Sequence, residues 1–176
     1  MKLYVKAQLQ RVAGLIDSFT DTLKQVAEKN PWPMPGYTHL QRAQVVTFKY
    51  YMLAYAEMMG RDKQRVLNAL DLLDESPLGC GALAGTTHNI DRAFTAEKLG
   101  FSHGPCKNFL DGVSDRDYVL ESLSAFSILM MHLSRLSEEL VLWSSAEFGF
   151  ITLDDKYTTG SSIMPQKKNA DGAELV

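Results

Sequence analysis

The sequence predicts an all-α fold, a bundle of long up-down helices, on two observations. Three stretches repeat an apolar residue every three or four positions, which is the spacing of one buried helix face. Segments rich in proline or glycine separate these stretches, and both residue types interrupt helices. We therefore expect helices over residues 3–29, 47–75 and 114–147, and residues 1–176 as a single helical-bundle domain.

The apolar stripes of the three helices define the expected core. Helices this long in a modest chain commonly bury such stripes against one another and against other subunits. The first stripe is Val5, Leu9, Val12, Ile16, Phe19, Leu23 and Val26. The second is Phe48, Met52, Tyr55, Met59, Val66, Leu70 and Leu73. The third is Val119, Leu123, Phe126, Met130, Leu133, Leu136, Leu140 and Trp143.

The end of the first helix is marked more clearly than the start of the second. The segment NPWPMPG at residues 30–36 carries three prolines and cannot continue a helix. Thr38 and Gln41 have the spacing of a capping box for the second helix, and Thr47 is a later alternative. The sequence leaves the choice between these two starts open.

Capping patterns also mark the remaining helices. A capping box at residues 114–117 is expected to start the third long helix. A short helix is expected at residues 91–99, followed by a loop over residues 101–112. A second capping box, at residues 171–174, predicts a last helix that starts near residue 171.

The composition is that of a globular protein, with 45% hydrophobic and 22% charged residues. A net charge of -3 gives no electrostatic reason to expect binding to nucleic acid or to an acidic membrane. No uninterrupted apolar run approaches the ~20 residues that span a bilayer. Cys80 and Cys106 suit the reducing cytoplasm, although the two could form one disulfide. We expect a cytoplasmic protein that binds neither nucleic acid nor membrane.

The segment GSSIMPQKKN at residues 160–169 is the leading candidate for chemistry. It gathers two hydroxyls, two ammonium groups and two amides in one loop, and loops held by rigid helices often carry functional residues. Ser161 or Ser162 could be a simple helix cap, and Lys167 a solvated charge. Alternatively, a hydroxyl near an ammonium group suits a reaction that forms a carbanion, because such a reaction needs a base and fixed positive charge.

Three further polar residues lie close to expected helix starts. His39 is either a turn residue or a neutral imidazole that the helix dipole keeps available as a base. Arg116 either pairs with a neighbouring aspartate or binds a carboxylate through two hydrogen bonds. Glu174 needs no explanation beyond its capping box.

Sequence patterns for bound cofactors are missing. There is no P-loop and no GxGxxG segment, and the glycines at residues 79–85 follow no strand that would make them a phosphate-binding loop. The histidines are scattered and have no cysteine or carboxylate partners at ligand spacing; they are His39, His88, His103 and His132. We expect neither a metal nor an organic cofactor.

Residues 160–169 resemble the signature of the fumarase/aspartase superfamily. The variant MPQKKN within them resembles the argininosuccinate lyase family in particular. Four other stretches agree: MPGYTHLQRAQ at residues 34–44, SPLGCGALAG at 76–85, VSDRD at 113–117 and HLSR at 132–135. The similarity extends over nearly the whole chain.

The resemblance implies a carbon–nitrogen lyase of arginine biosynthesis. Such an enzyme cleaves the small-molecule substrate argininosuccinate to arginine and fumarate by general acid/base β-elimination, without a cofactor. It also implies a homotetramer with sites shared between subunits. Members of the family have an N-terminal domain before this region and a C-terminal segment after it. We therefore expect this chain to be an incomplete piece that is inactive alone.

The resemblance also implies roles for individual residues. Ser161 would be the catalytic serine of a flexible loop, and His39 the other acid/base residue, with Glu174 raising its basicity. Lys167 and Asn169 would stabilise the doubly charged carboxylate that forms during the reaction. Which of the serine and the histidine removes the proton stays open.

The resemblance further implies three residues that contact the substrate: Thr38, Ser162 and Arg116. Val45 and Ala170 stand where the family usually has proline, which affects the rigidity of the loops and leaves the polar positions intact.

Two alternative functions stay open: a related fumarate-releasing lyase of the same superfamily, and a non-catalytic, crystallin-like helical-bundle homologue.

Overall fold

The structure is a computed structural model that describes residues 1–176, of which 57% are helical. The helices are α1 Lys2–Lys29, α2 Phe48–Leu72, α3 Arg92–Lys98, α4 Phe109–Ser114, α5 Asp117–Ser144 and α6 Asp171–Glu174. Two antiparallel hairpins join β1 Pro33–Thr38 to β2 Gln41–Thr47, and β3 Thr159–Gly160 to β4 Lys168–Asn169. The expectation of an all-α fold dominated by three long helices is confirmed.

The chain forms two compact units that share the long helices. One unit comprises Met1–Phe19 and Gly60–Phe126, and the other comprises Thr20–Met59 and Ser127–Val176. Each of α1, α2 and α5 contributes residues to both units. The description of residues 1–176 as a single domain stays a prediction.

The expected capping box at Thr38 and Gln41 is wrong, because these residues pair across a β-hairpin. His39 and Leu40 form the turn between them and have positive φ values of 52° and 57°. Positive φ at both central residues is the geometry of the two-residue turns that suit twisted hairpins. The alternative start at Thr47 is correct, since its hydroxyl oxygen accepts a hydrogen bond of 3.0 Å from the Tyr50 amide.

Two other capping boxes are also absent. Ser114 ends α4, and the Asp115 carboxylate accepts bonds from the amides of Arg116 and Asp117 at 2.6 and 2.9 Å where α5 begins. The helix α6 is a single turn that follows Ala170, with no side-chain cap. Spacing alone therefore misidentified both caps, because a capping residue also needs an extended backbone outside the helix.

The helix α4 lies where the sequence indicated a loop. The Asn108 side chain caps it by accepting a hydrogen bond of 3.1 Å from the Asp111 amide. Near its end, Gly112 packs against two buried sulfurs. A Cβ at this position would lie 2.5 Å from Cys106 Sγ and 3.2 Å from Cys80 Sγ. The hydrogen of glycine is therefore required for this close approach.

Substituting Gly112→Ala is expected to reduce the free energy of unfolding by about 1–3 kcal/mol, because the added methyl group overpacks the sulfurs. Cys106→Ala should recover part of this loss in the double variant, which a double-mutant cycle in urea would measure. Gly14→Ala is the matched control, since no atom lies within 4 Å of its Cβ position in α1. Equal effects of the two glycine substitutions would contradict the contact.

On α5, most residues of the expected apolar stripe are not buried. Leu136 and Trp143 are buried as expected, but Leu123 and Met130 are 55% and 46% exposed. The buried face is offset from the expected stripe and consists of Tyr118, Ser122, Ala125, Leu129, His132, Leu136 and Trp143. Since α5 is apolar over a wide arc, periodicity could not decide which side faces the chain's own core.

The expected stripes of α1 and α2 agree better with the observed burial. Leu9 and Ile16 in α1 are buried, and so are Met59, Val66 and Leu73 in or next to α2. By length and composition alone, α5 would also qualify as a membrane span, with a mean hydropathy of 1.2 over 18 residues. The core helices of soluble proteins pass the same test, so this finding is weak evidence for a membrane.

Candidate active site

The polar loop that follows α5 is closed at its base. Thr159 pairs with Asn169 and Gly160 with Lys168 in the short β3–β4 hairpin. The Thr159 hydroxyl donates a hydrogen bond to the carboxylate of Asp171, and the Lys168 ammonium forms an ion pair with Asp155. These contacts fix both ends of the segment 161–167, which we call the closed loop.

Ser161 and Lys167 lie at the neck of the closed loop. They are the first residues beyond the Gly160–Lys168 pair, one on each side of the hairpin. Ser161 Oγ is half-buried and accepts a hydrogen bond of 3.3 Å from the Met164 amide, which leaves its own proton free to be donated. Lys167 is exposed, and its side chain forms no ion pair within the chain. A hydroxyl and an ammonium group therefore flank one opening.

The other residues expected in this segment lie on or next to the same short hairpin. Ser162 is exposed in the closed loop, and Asn169 is half-buried on β4. Glu174 is exposed at the end of α6, where it is not the third residue of a capping box. The capping explanation for Glu174 is removed, so its carboxylate is available for another partner.

Thr38 and His39 occupy the tip of the β1–β2 hairpin, and both side chains are exposed. The expectation that a helix dipole tunes His39 is wrong, because no helix begins there. Non-glycine residues adopt positive φ at a cost of about 1 kcal/mol or more, and such strained positions cluster at functional sites. Two consecutive examples, His39 and Leu40, mark the hairpin tip as a candidate site.

An aromatic cluster holds this hairpin in place. The ring of Tyr37 on β1 packs edge-on against Phe148, with ring centroids 5.3 Å apart. Phe148 packs in the same manner against Phe150 at 5.6 Å, and Tyr37 lies 6.3 Å from Phe150. Each such pair contributes about 0.5–1.5 kcal/mol beyond the area it buries. The exposed tip is thus carried by a firmly anchored strand.

A cavity of about 230 Å³ lies beside His39 and contains a polar pair that sequence reasoning missed. Tyr51 Oη donates a hydrogen bond of 2.5 Å to the Glu139 carboxylate. Burial, reinforced by Glu139, raises the pKa of Tyr51 well above its usual value, so the phenol stays protonated as a donor. The only sequence signal was helical spacing: Tyr51 and Tyr55 lie four residues apart on α2, as do Arg135 and Glu139 on α5.

A second cavity, of about 320 Å³, lies beside Thr38 and is lined by Tyr55 and Arg135 among others. Burial and the nearby Glu139 together raise the pKa of Tyr55 to about 12, although Arg135 acts in the opposite direction. Residues of the hairpin tip therefore line both cavities: His39 lines the first and Thr38 the second. Their walls carry the Glu139 carboxylate, the Arg135 guanidinium group and the phenols of Tyr51 and Tyr55, which stay protonated.

Stability is expected to fall between pH 10 and about pH 12 because of Tyr55. The unfolded phenol loses its proton near pH 10, while the folded one keeps it to about 12. The native state then binds more protons, so this residue accounts for a loss of about 2 kcal/mol over that range. Urea unfolding at both pH values should show a smaller decline for Tyr55→Phe. Tyr157→Phe, at a 73% exposed position, should decline like the unmodified chain.

Arg116 belongs to the other compact unit. Its guanidinium Nη1 donates to the carbonyl oxygens of Val113 and Asp115 at 3.0 and 2.5 Å. The expected alternative of a salt bridge with a neighbouring aspartate is thus replaced by bonds to the backbone. The side chain is exposed, and its other nitrogens stay available for an acceptor such as a carboxylate.

The structure therefore gathers five of the expected site residues, and the remaining three lie elsewhere. Ser161, Ser162, Lys167, Asn169 and Glu174 share one segment, whereas Thr38 and His39 share the hairpin tip. Within the chain, no hydrogen bond or ion pair links His39 to Glu174 or to Ser161. The roles assigned to these residues stay predictions.

The sequence matches the family model described as Lyase over residues 1–176. It is 67% identical over 176 residues to argininosuccinate lyase of Clostridioides difficile, covering all of this chain and 40% of that protein. It is 64% identical over the same length to argininosuccinate lyase of Clostridium botulinum strain Loch Maree, again covering 40% of that protein. The chain thus spans about two-fifths of the length of these curated relatives.

Two solved structures also superimpose on nearly all of this chain. An EDDS lyase in complex with formate superimposes with a TM-score of 0.94 at 32% identity, over 98% of this chain and 35% of that one. Class II fumarase from Schistosoma mansoni superimposes with a TM-score of 0.77 at 19% identity, over 98% of this chain and 42% of that one, which shows the shared fold. The resemblance to a lyase family, seen in residues 160–169 and in four other stretches, is confirmed. Because the family model spans residues 1–176, the chain belongs to the lyase family.

Proposed function

We propose that this chain is the central helical part of an argininosuccinate lyase, which cleaves argininosuccinate to arginine and fumarate. The observation that carries the proposal is the closed loop, which presents Ser161 and Lys167 at one opening in a chain 67% identical to such an enzyme. A hydroxyl that can exchange a proton and a fixed cation are the two groups that a β-elimination beside a carboxylate needs.

The first step of the proposed reaction removes a proton from the carbon beside a substrate carboxylate. That carbon is a weak acid, and the negative charge left behind spreads onto the carboxylate to give a doubly charged aci-carboxylate. Either Ser161 or His39 takes the proton. The Lys167 ammonium and the Asn169 amide stabilise the developing charge, because both donate hydrogen bonds to carboxylate oxygens.

The second step breaks the bond between carbon and the guanidino nitrogen. The electron pair of that bond leaves with the nitrogen, which gains a proton so that arginine departs with its guanidinium group protonated. The acid/base residue that did not take the first proton supplies the second. Glu174 raises the basicity of His39 by accepting a hydrogen bond from its ring. Thr38, Ser162 and Arg116 bind the substrate.

We also propose that the site is assembled between subunits, in a homotetramer. Within one chain, the residues of the hairpin tip and of the closed loop form no bond with each other, which supports a site that another copy completes. Several large apolar side chains are exposed on α5, and exposed apolar faces of this kind mark contact surfaces. They are Leu120, Leu123, Met130 and Met131. The free, buried cysteines suit a cytoplasmic location.

A chimeric enzyme tests the proposed activity. The 176 matching residues of the Clostridioides difficile argininosuccinate lyase would be replaced by this chain, and fumarate release from argininosuccinate followed by its ultraviolet absorbance. We expect the chimera to assemble and to release fumarate. A chimera that forms the parent's oligomer, measured by light scattering, yet releases no fumarate would disprove the proposal.

A related activity is the second candidate. The structural similarity to EDDS lyase, including a variant with bound fumarate at a TM-score of 0.94, favours another fumarate-releasing lyase. The same chimera, given argininosuccinate and EDDS in parallel, separates the two. Faster release from EDDS would favour this candidate over argininosuccinate cleavage.

A further inference from the structure

Two cysteines that the proposed reaction does not use lie in contact. Sγ of Cys80 and Sγ of Cys106 are 3.3 Å apart, although 26 positions separate them in the sequence. Both are free thiols, with exposed fractions of only 1% and 3%. Both belong to the unit that comprises Met1–Phe19 and Gly60–Phe126.

Backbone hydrogen bonds hold the two sulfurs next to each other. Cys106 N donates to Ser76 O at 3.0 Å, and Ser76 N donates to Gly104 O at 2.8 Å. These bonds form a short parallel bridge between Ser76 and Pro105. Cys80 N donates to Pro77 O at 3.2 Å, which folds the turn that carries Cys80 back onto this bridge. The proximity of the thiols thus follows from backbone hydrogen bonds on both segments.

A cation and a glycine enclose the pair. Arg92 Nη2 lies 3.3 Å from each sulfur and donates to the carbonyl oxygen of Cys106 at 3.1 Å. The guanidinium group also stacks 4.6 Å above the ring centroid of Phe109. The missing side chain of Gly112 lets α4 approach both sulfurs. The two thiols therefore lie next to each other and to a fixed positive charge.

We propose that Cys80 and Cys106 are an oxidative modification site, a dithiol that closes to a disulfide when a peroxide reaches it and reopens with a small thiol. A disulfide bond is about 2.05 Å long, so the two sulfurs must approach by about 1.3 Å. Small shifts of the turn at Cys80 and of the segment before α4 supply this distance. No other cysteine in the chain competes for either sulfur.

The chemistry requires two steps and one equivalent of peroxide. The thiolate of one cysteine attacks a peroxide oxygen, the O–O bond breaks, and a sulfenic acid forms while water leaves. The thiolate of the second cysteine then attacks that sulfur, which forms the S–S bond and releases a second water. The two thiols lose two electrons and two protons together, and hydrogen peroxide is reduced to two molecules of water.

Arg92 has a direct part in this chemistry. Burial raises the pKa of Cys80, and the neighbouring Cys106 raises it further, whereas Arg92 lowers it. The pKa of Cys80 is raised overall, so the thiolate, which is the reactive form, is the minor species, and the guanidinium group beside the sulfurs favours it. The same burial restricts the site to small oxidants such as hydrogen peroxide.

Closure would add a covalent bond between two segments that are now held together by noncovalent contacts. The turn of Cys80 lies in the glycine-rich segment 79–85, and Cys106 lies three residues before α4. That helix runs directly into Asp115 and Arg116. A covalent link would therefore anchor the backbone that leads to Arg116.

The test treats the 176-residue chain with hydrogen peroxide and counts thiols in denaturant. We expect the count to fall from two per chain to zero and the mass to decrease by two hydrogens, with the species remaining monomeric in a non-reducing gel. A non-reducing digest should contain one peptide pair linked through Cys80 and Cys106. Dithiothreitol should restore both thiols.

Single-cysteine variants provide the matched control. Cys80→Ser and Cys106→Ser each retain one thiol, and neither can form the internal link, so peroxide should leave a sulfenic acid that dimedone traps. The proposal fails if the unmodified chain keeps both thiols under peroxide that oxidises the single-cysteine variants. It also fails if the product is a disulfide between chains, or a sulfinic acid on either cysteine. The thiol count, the mass and the linked peptide pair all come from the unmodified chain, so a poorly folded variant does not obscure them.

Discussion

Replacing Ser161 by alanine is expected to lower the rate of fumarate release by the chimeric enzyme about 10²–10⁴-fold, the usual contribution of a positioned acid or base. Alanine removes only the hydroxyl oxygen. The amide of Met164 loses its 3.3 Å acceptor, but the pairing of Gly160 with Lys168 does not depend on that side chain. The loop should therefore keep its shape while losing the group that exchanges the proton.

A second substitution in the same loop separates chemistry from loop disturbance. Gln166 is exposed and has no proposed role, so Gln166→Ala should release fumarate at nearly the unmodified rate. The measurement is the steady-state turnover of both variants at saturating argininosuccinate. If Ser161→Ala turns over as fast as Gln166→Ala, the role proposed for Ser161 is wrong.

Replacing Lys6 by methionine is expected to reduce the free energy of unfolding by about 3–5 kcal/mol, as for other buried ion pairs that lose one partner. The Lys6 ammonium lies 2.5 Å from Asp74 Oδ1, and the two side chains are only 14% and 9% exposed. Lys6 also donates to the carbonyl oxygen of Gly100 at 2.5 Å. Methionine has a similar volume and leaves a buried carboxylate without its cation. Urea unfolding followed by circular dichroism measures the change.

An exposed ion pair between α1 and α2 is the control. Lys63 and Asp17 are 2.7 Å apart, but their side chains are 34% and 54% exposed. Because solvent screens such pairs, Lys63→Met should change the free energy of unfolding by less than about 1 kcal/mol. Comparable losses for the two lysine variants would show that burial does not set the strength of the Lys6–Asp74 pair.

The Lys6–Asp74 pair also makes the free energy of unfolding depend on pH in the acid range. Burial by itself would raise the pKa of Asp74, but hydrogen bonds from Lys6 and Ser102 outweigh it and bring that pKa below its ordinary value. Near pH 4 the unfolded carboxyl gains its proton first. The contribution of Asp74 is therefore complete above that pH and is lost as the pH falls through its lower folded pKa. In the Lys6→Met variant, the free energy of unfolding should therefore decrease less as the pH falls through this range.

The candidate site illustrates how far residue patterns reach. The polar segment at residues 160–169 was identified from its composition and its resemblance to a lyase signature, and the family is now established. Neither approach indicated that β3 and β4 close its base, because a pair of two-residue strands is too short to leave a periodic pattern. Tyr51 and Glu139 were missed for a related reason. Their hydrogen bond joins residues 88 positions apart.

The sequence by itself determined where the long helices lie, because helical periodicity is a local property that spacing and helix breakers reveal. Only the tertiary structure decided three other features: the hairpin that carries His39, the face of α5 that is buried, and the contact between Cys80 and Cys106. Each depends on groups that are distant along the chain. Strand pairing, the choice between two apolar faces and thiol proximity are set by packing between segments, and no single segment encodes them.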